Sequence, residues 1–229
     1  MPDFLTLNDI AVRGKVVLLR ADLNVPIQNG RVTDAERLER LLPTLKELSD
    51  NGARIVILSH FGRPNGKPNP EMTLKPVVAE LENIWGKPIG FAEDCLGSAT
   101  QNAIKALTNG QILVLENTRF HAGEESNDPV FADALAALGE VFVNDAFSCA
   151  HRVHASTTGL AQRMLSAAGR LMEAELKALA QVLGNPERPV IALVGGSKIS
   201  TKIDLLTNLI AKVDVLVLGG GMANTFVAA

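Results

Sequence analysis

Three polar side chains follow the first strongly apolar segment of this chain. The apolar residues at positions 16–19 are followed by Arg20, Asp22 and Asn24, and Pro26 ends the stretch. In an extended strand these alternate residues project from one face, which would gather a cation, a carboxylate and an amide at the strand's end. The ends of strands are where open α/β sheets bind ligands. An Arg20–Asp22 ion pair beside a turn-forming Asn24 is the equally weighted alternative.

Basic residues recur after the later apolar segments. A local group of cations on a chain with a net charge of −3 indicates one small anionic ligand rather than a polyanion. Arginine is suited to bidentate binding of phosphate and carboxylate. The residues expected around one crevice are Arg37, His60, Arg63, Arg119 and Arg152. For Arg37, next to the apolar stripe of a predicted helix, a solvated surface position is the competing interpretation.

Two glycine turns follow strands near the end of the sequence. Gly195-Gly196-Ser197-Lys198 and Gly219-Gly220-Gly221 each precede a predicted helix, where backbone N–H groups can receive a phosphate. Neither has the spacing of a Walker A or a G-x-G-x-x-G motif, so tight turns that need glycine are an equal alternative. Lys198 and Lys202, four residues apart, form either a solvated helix face or a double cation for a nucleotide phosphate.

Alternating strands and helices must position these residues. A strand at 16–19, a helix over 38–48 and a strand at 54–59 form a βαβ unit, so the two strands are predicted to be parallel neighbours. Thr33-Asp34 is the candidate helix cap, and Pro43 is predicted to kink or restart the helix. Further strands are predicted at 111–115 and 141–143, and Asp128-Pro129 predicts a helix start. A long helix over 171–183 connects to a new α/β pattern.

Composition excludes several classes. The chain has 229 residues, 47% hydrophobic, one Trp and no Tyr, which supports a large core and argues against nucleic-acid binding. No apolar run is long enough for a membrane span, and no signal peptide is expected. Cys95 and Cys149 form no C-x-x-C motif, and reduced thiols in the cytoplasm are expected.

Several segments together resemble phosphoglycerate kinase, and they occur in that family's order along the whole chain. They are residues 18–26 (LLRADLNVP), 59–64 (SHFGRP), 116–120 (ENTRF), 144–147 (NDAF), 150–152 (AHR) and 195–198 (GGSK) with Lys202.

The resemblance implies reversible phosphoryl transfer between ATP and the carboxylate of 3-phosphoglycerate, giving 1,3-bisphosphoglycerate. By position, it implies that Arg37 and Lys198 are catalytic and that Gly195, Gly196, Lys198, Lys202, Gly219 and Gly220 bind the nucleotide. It implies that the acid is bound by Asp22, Asn24, Arg37, His60, Arg63, Arg119 and Arg152. Mg²⁺ would accompany ATP or ADP, with no metal ligand in this chain. A cytoplasmic monomer that binds neither nucleic acid nor membrane is expected.

The implied fold has two α/β lobes with a hinge between them. We expect a Rossmann-like three-layer αβα lobe with a parallel sheet at 1–168, a connecting helix at 169–186 and the truncated start of a nucleotide lobe at 187–229. Family members are longer, so we expect an incomplete enzyme with weak acid binding and little activity. Exposed strand edges and apolar surface are expected in the short second lobe.

Two other functions are alternatives to the kinase. The first alternative is a non-catalytic anion-binding module that keeps only the acid lobe. A nicotinamide-dependent dehydrogenase is disfavoured by the missing G-x-G-x-x-G spacing. Arg170 departs from the resembled family, which commonly has an apolar residue or proline there, and this puts the local packing at the hinge in doubt but not the function.

Overall fold

The structure is a computed structural model, and it describes residues 4–184, 186–196 and 203–228. The chain divides into two compact units, one ending at Ala174 and the other beginning at Glu175. The predicted lobe limits of 1–168, 169–186 and 187–229 stay a prediction.

The strands of the first unit form a six-stranded parallel sheet and a short hairpin. In chain order the strands of the whole chain are β1 Val16–Arg20, β2 Ile27–Gln28, β3 Arg31–Val32, β4 Arg54–Leu58, β5 Gly90–Ala92, β6 Ile112–Leu115, β7 Val141–Asn144, β8 Ser166–Ala168, β9 Ile191–Gly195 and β10 Val215–Gly219.

The α-helices are α1 Glu36–Asp50, α2 Lys75–Trp85, α3 Ser98–Ala106, α4 Ala122–Glu125, α5 Pro129–Ala136, α6 Arg170–Leu183, α7 Ile203–Ile210 and α8 Gly221–Val227. Short 3₁₀ turns and a π-helical turn at Ala155–Gly159 complete the described elements.

Strand β1 separates two hydrophobic cores. Val17 and Leu19 pack on one side with apolar residues of α1 and α2, whereas Val16 and Leu18 pack on the other side with those of α3 and α5. This alternation follows from the two-residue period of a strand that is buried on both faces. The result is a sheet between two layers of helices, which confirms the predicted α/β fold class.

The sheet order places the ends of the polar strands together. The strands run β5–β6–β4–β1–β7–β8, all paired in parallel. The predicted neighbours β1 and β4 pair from Val16↔Arg54 to Arg20↔Leu58. Because parallel strands end at the same edge, the loops after β1, β4, β6 and β7 share that edge.

Helix α1 is continuous through Pro43, where the sequence predicted a kink or a restart of the helix. The helix continues through Pro43 as one element from Glu36 to Asp50, so the predicted restart is wrong. Leu38, Leu41 and Leu45 bury one face of it, and this packing holds the helix across the missing N–H of proline. The predicted cap at Thr33-Asp34 is wrong, because the N-cap residue is Ala35 and makes no side-chain cap hydrogen bond; Asp34 Oδ1 accepts from the Glu36 N–H at 3.0 Å in the turn before the helix.

Two strands and one helix of the first unit have no sequence pattern that predicts them. Strands β5 and β8 are three residues each, and helix α3 carries few apolar residues. Short strands at the two edges of a sheet obtain their conformation from pairing with β6 and β7 rather than from a pattern of their own. The cap at Asp128 is confirmed, since its Oδ1 accepts from the Phe131 N–H at 2.8 Å.

Arg170, the first residue of α6, forms several side-chain hydrogen bonds. Its guanidinium donates to both carboxylate oxygens of Glu47 at 2.5 and 2.6 Å, to Glu173 at 2.6 Å and to Asn8 Oδ1 at 2.6 Å. The hydrogen bonds to Glu47 raise the pKa of Arg170 above its usual range. The side chain thus ties the first turn of α6 to α1 and to the N-terminal segment.

The second unit carries a parallel pair of strands with much apolar surface exposed. Strands β9 and β10 pair from Ile191↔Val215 to Gly195↔Gly219. Leu206 and Met222 pack against Val194 in a small core, whereas Ile191 is 64% and Leu193 75% exposed. Within the described residues this sheet is covered mainly on one face.

Two further observations concern the whole described chain. Both cysteines, Cys95 and Cys149, are buried and free, in line with the expected reduced thiols. In the described ranges there is no helix with the length and hydrophobicity needed to cross a bilayer.

Candidate functional site

The loop after β1 is organised around Asp22. The ion-pair partner of Asp22 is Arg37 rather than Arg20. Arg37 Nη1 donates to Asp22 Oδ2 at 2.8 Å and to the Asn24 carbonyl oxygen at 3.0 Å. The Ser148 hydroxyl donates to the same Asp22 oxygen at 2.5 Å. The alternative of an Arg20–Asp22 ion pair is wrong, since Arg20 bonds to Ser156 and His60 instead. Strand β1 ends at Arg20, so Asp22 and Asn24 lie beyond it rather than on a shared strand face.

Asn24 joins the loops that follow β1 and β4. Its side-chain Oδ1 accepts a hydrogen bond from the Gly62 N–H at 3.0 Å, and its own N–H donates to Asp22 Oδ1 at 3.1 Å. The Ser59 hydroxyl accepts from the Leu23 N–H at 2.9 Å across the same gap. These contacts fix the positions of Asp22 and of the His60–Arg63 segment relative to each other.

His60 is buried and neutral. It is 4% exposed, and its Nδ1 lies 3.0 Å from Arg20 Nη2. Burial, together with the positive charges of Arg20, Arg119 and Arg152, lowers the pKa of His60 to about 2. His60 therefore offers a neutral ring among several cations.

Arg119 lies beneath the loop that follows β4. It is 3% exposed, and its Nη1 donates to the Gly62 carbonyl oxygen at 2.7 Å. Its Nε lies 3.0 Å from Glu125 Oε1, an ion-pair contact that lacks hydrogen-bond geometry, and the Nε hydrogen has no acceptor among the described residues. Burial lowers the pKa of Arg119, although the side chain stays charged at neutral pH.

Arg152, on the loop after β7, resembles Arg119 in the environment of its Nε atom. Its Nε is also buried and has no hydrogen-bond partner in the described part of the chain. Arg63, next to Gly62, is exposed at the same edge of the sheet. We use the name arginine cup for Arg20, Arg37, Arg63, Arg119 and Arg152 together with His60.

Unpartnered buried donors are rare in proteins, and they indicate a missing partner. Here Arg119 and Arg152 each have a buried Nε without a hydrogen-bond partner in the described residues, and the charges of both arginines act on His60. A suitable partner accepts hydrogen bonds and carries negative charge, because both donors belong to guanidinium cations, although Glu125 already forms an ion pair with Arg119. A small phosphate or carboxylate meets both requirements.

The structure also places residues at the cup that the sequence did not single out. Ser148 bonds to Asp22, while Ser156 and Glu124 form a buried group behind Arg20. A serine on a loop and a glutamate in a four-residue helix have no distinctive spacing. Only the fold brings them within reach of the arginines.

The predicted nucleotide residues are described in part. Gly195 and Gly219 are direct partners across β9 and β10, and the Met222 N–H donates to the Gly196 carbonyl oxygen at 3.0 Å. Gly220 has a φ of +63°, and an added Cβ would lie 3.2 Å from that carbonyl oxygen. The two glycine turns are thus adjacent. Lys198 and Lys202 lie outside the described residues.

Two groups of side chains in the described ranges have metal-ligating atoms within 4.8 Å of one another: Asp22, His60 and Cys149, and Asp94, Cys95 and His121. Each group mixes oxygen, nitrogen and sulfur. Mg²⁺ prefers oxygen ligands in octahedral geometry, so neither group fits the Mg²⁺ expected with a nucleotide.

Comparisons with known proteins agree on one family. The family model described as phosphoglycerate kinase matches residues 7–229. The phosphoglycerate kinase of Rhodospirillum centenum is 62% identical over 226 residues, which cover 99% of this chain and 57% of that protein. The phosphoglycerate kinase of Methylorubrum extorquens strain PA1 is 60% identical, covering 100% of this chain and 58% of that protein.

Solved structures give the same result. The phosphoglycerate kinase structure from Coxiella burnetii has a TM-score of 0.87 at 44% identity and covers 98% of this chain and 57% of that one. The structure from Pyrococcus horikoshii has a TM-score of 0.87 at 30% identity. The chain spans little more than half the length of these relatives.

Proposed function

Because the chain belongs to the phosphoglycerate kinase family, we propose that its first unit binds 3-phosphoglycerate and serves phosphoryl transfer between ATP and the carboxylate of that acid. The observation that carries the proposal is the pair of buried, unpartnered Nε donors of Arg119 and Arg152 beside His60. An oxyanion is a suitable acceptor for guanidinium donors of this kind, because such charge-assisted hydrogen bonds are strong.

The proposed roles follow from position. His60, Arg63, Arg119 and Arg152 bind the phosphate group of the acid, while Asp22 and Asn24 order the rim. Asp22 and Asn24 hold Arg37 half-exposed at that rim, and Arg37 steadies the phosphoryl group during transfer. The acceptor carboxylate is already ionised at neutral pH, so no general base is required, and the chemistry depends on positioning and charge neutralisation.

The nucleotide side of the proposal rests on the second unit. The turns at Gly195-Gly196 and Gly219-Gly220 are adjacent, and we propose that their backbone N–H groups and the side chains of Lys198 and Lys202 bind the nucleotide phosphates. The described residues lack a suitable Mg²⁺ site, and we assign no step to that ion. A cytoplasmic monomer acting on 3-phosphoglycerate or 1,3-bisphosphoglycerate with ATP or ADP completes the proposal.

Calorimetric titration with 3-phosphoglycerate tests the acid site directly. Binding to this chain that is lost in Arg119→Ala, and kept in Arg163→Ala, supports the proposal; Arg163 is bonded to Asp133 on another surface. Absence of binding by the unaltered chain would reject the acid site. A coupled ATP assay on a full-length protein carrying this sequence separates a kinase from the alternative non-catalytic binding module.

A further inference from the structure

A buried carboxylate stands behind the arginine cup and has no role in the proposed reaction. Glu124 is fully buried. Its Oε1 accepts from the Ser156 hydroxyl at 2.5 Å, and its Oε2 accepts from the Ser156 N–H at 2.9 Å. His154 Nδ1 lies 3.9 Å from Oε1. Such a charge is costly to bury, so its position calls for a physical reason.

Ser156 connects this carboxylate to Arg20. Its Oγ accepts a hydrogen bond from Arg20 Nε at 2.9 Å, so its own proton is directed to Glu124. Ser156 is fully buried and lies in the π-helical turn at Ala155–Gly159. Turns of this kind are rare and are frequently found at functional sites.

The direction of every bond in this chain of contacts is determined. Arginine only donates, so His60 Nδ1 must accept from Arg20 Nη2 at 3.0 Å. Nδ1 is then unprotonated, and the ring proton lies on Nε2. The series runs from the Glu124 carboxylate through the Ser156 hydroxyl and the Arg20 guanidinium to a neutral His60 that donates from Nε2.

We propose that Ser156 and Glu124 are positioning residues of the arginine cup, which hold Arg20 and through it keep His60 as the Nε2–H tautomer, so that an oxyanion in the cup meets a hydrogen-bond donor. The opposite tautomer would present a lone pair to the anion and repel it. This role rests on the proposed binding of an oxyanion in the cup, but the protonation of the His60 ring can be measured without any ligand.

The first experiment measures the tautomer. Two-bond ¹H–¹⁵N spectra of the histidine rings are recorded at pH 7 on the labelled full chain, with His60→Gln to assign the signals. We expect pure Nε2–H in the unaltered protein. In Ser156→Ala, Arg20 Nε loses its acceptor and the hold on His60 loosens, so both tautomers are expected. Ser166→Ala is the matched control, since that hydroxyl bonds only to backbone oxygens in the described chain.

The second experiment measures affinity for 3-phosphoglycerate and for inorganic phosphate. Ser156→Ala is expected to weaken both about tenfold, in line with one lost charge-assisted hydrogen bond, and Ser166→Ala to leave both unchanged. If the unaltered chain binds neither probe, the proposed function fails, whereas the tautomer measurement still decides the positioning role.

Glu124→Gln keeps the inference testable if Ser156→Ala does not fold, as judged by circular dichroism. It preserves the shape of the side chain but removes the charge that orients the Ser156 hydroxyl, and a mixture of tautomers is again expected. A pure Nε2–H ring in the variants that fold would overturn the proposal, as would an Nδ1–H ring in the unaltered protein.

Discussion

Arg37 Nη1 lies 2.8 Å from Asp22 Oδ2, a contact between residues 15 positions apart in the sequence. The Arg37 side chain is 53% exposed and that of Asp22 12% exposed. The carboxylate thus holds a solvent-facing guanidinium in one orientation at the rim of the cup. Preorientation of this kind is most useful for a charge that develops during a reaction.

Arg37→Ala should therefore reduce turnover far more than acid binding. In a full-length protein carrying this sequence we expect kcat to fall about 100- to 1,000-fold, with a change in acid affinity below about tenfold. Arg40→Ala is the matched control, since Arg40 lies on the same helix, is similarly exposed and pairs only with Glu36 on the surface in the described chain. Unchanged turnover in Arg37→Ala would remove Arg37 from the mechanism.

The stability of the protein should depend on pH through His60. Its pKa of about 2 in the fold lies below the unfolded value of 6.5, so the unfolded state binds the proton first as pH falls. The contribution of the neutral ring to the free energy of unfolding is complete above pH 6.5. Below that pH the free energy of unfolding falls by up to about 1.4 kcal/mol for each pH unit.

His60→Gln removes this dependence. The difference in free energy of unfolding between the unaltered chain and His60→Gln should shrink by about 2 kcal/mol from pH 7 to pH 5, as measured in urea. His154 is present in both proteins, so its own lowered pKa cancels from the comparison. His151→Gln, at an exposed position on a neighbouring loop, is the matched control for the replacement of a histidine by glutamine. Parallel curves for His60→Gln would show that His60 is not buried neutral.

Arg170→Ala should destabilise the first unit. The guanidinium is 24% exposed and holds Glu47, Glu173 and Asn8, so its removal leaves a partly buried carboxylate without its partner. We expect a loss of about 1–3 kcal/mol in the free energy of unfolding. A double-mutant cycle with Glu47→Ala should give a coupling of similar size. A loss within about 0.5 kcal/mol, as for an ordinary surface pair, would show that the bonds around Arg170 contribute little.

Gly220→Ala should destabilise the second unit. Alanine is strained at a φ of +63°, and its Cβ would approach the Gly196 carbonyl oxygen to 3.2 Å. A cost of about 1 kcal/mol or more is expected in thermal unfolding. The adjacent Gly219→Ala is the control, because its φ is not in the left-handed region and a Cβ there has no neighbour within 4 Å. Equal losses at both positions would show that backbone strain is not the cause.

The local pattern of the sequence determined much of the first unit. Continuous apolar runs flanked by polar residues identified β1, β4, β6 and β7, and a parallel sheet then required their carboxyl ends to share one edge. The segments around Arg20, His60 and Arg119 were specific enough to identify the family. These properties depend on residue type and spacing, which the sequence states directly.

The tertiary structure decided the partners. Asp22 bonds to Arg37 rather than to Arg20, and Arg20 turns inward to Ser156 and His60. Strand β8 forms only because β7 is available to pair with it. Hydrogen-bond partners such as Ser156 and Arg20, 136 positions apart, are chosen by distances that exist only in the packed fold, and one-dimensional spacing carries no record of them.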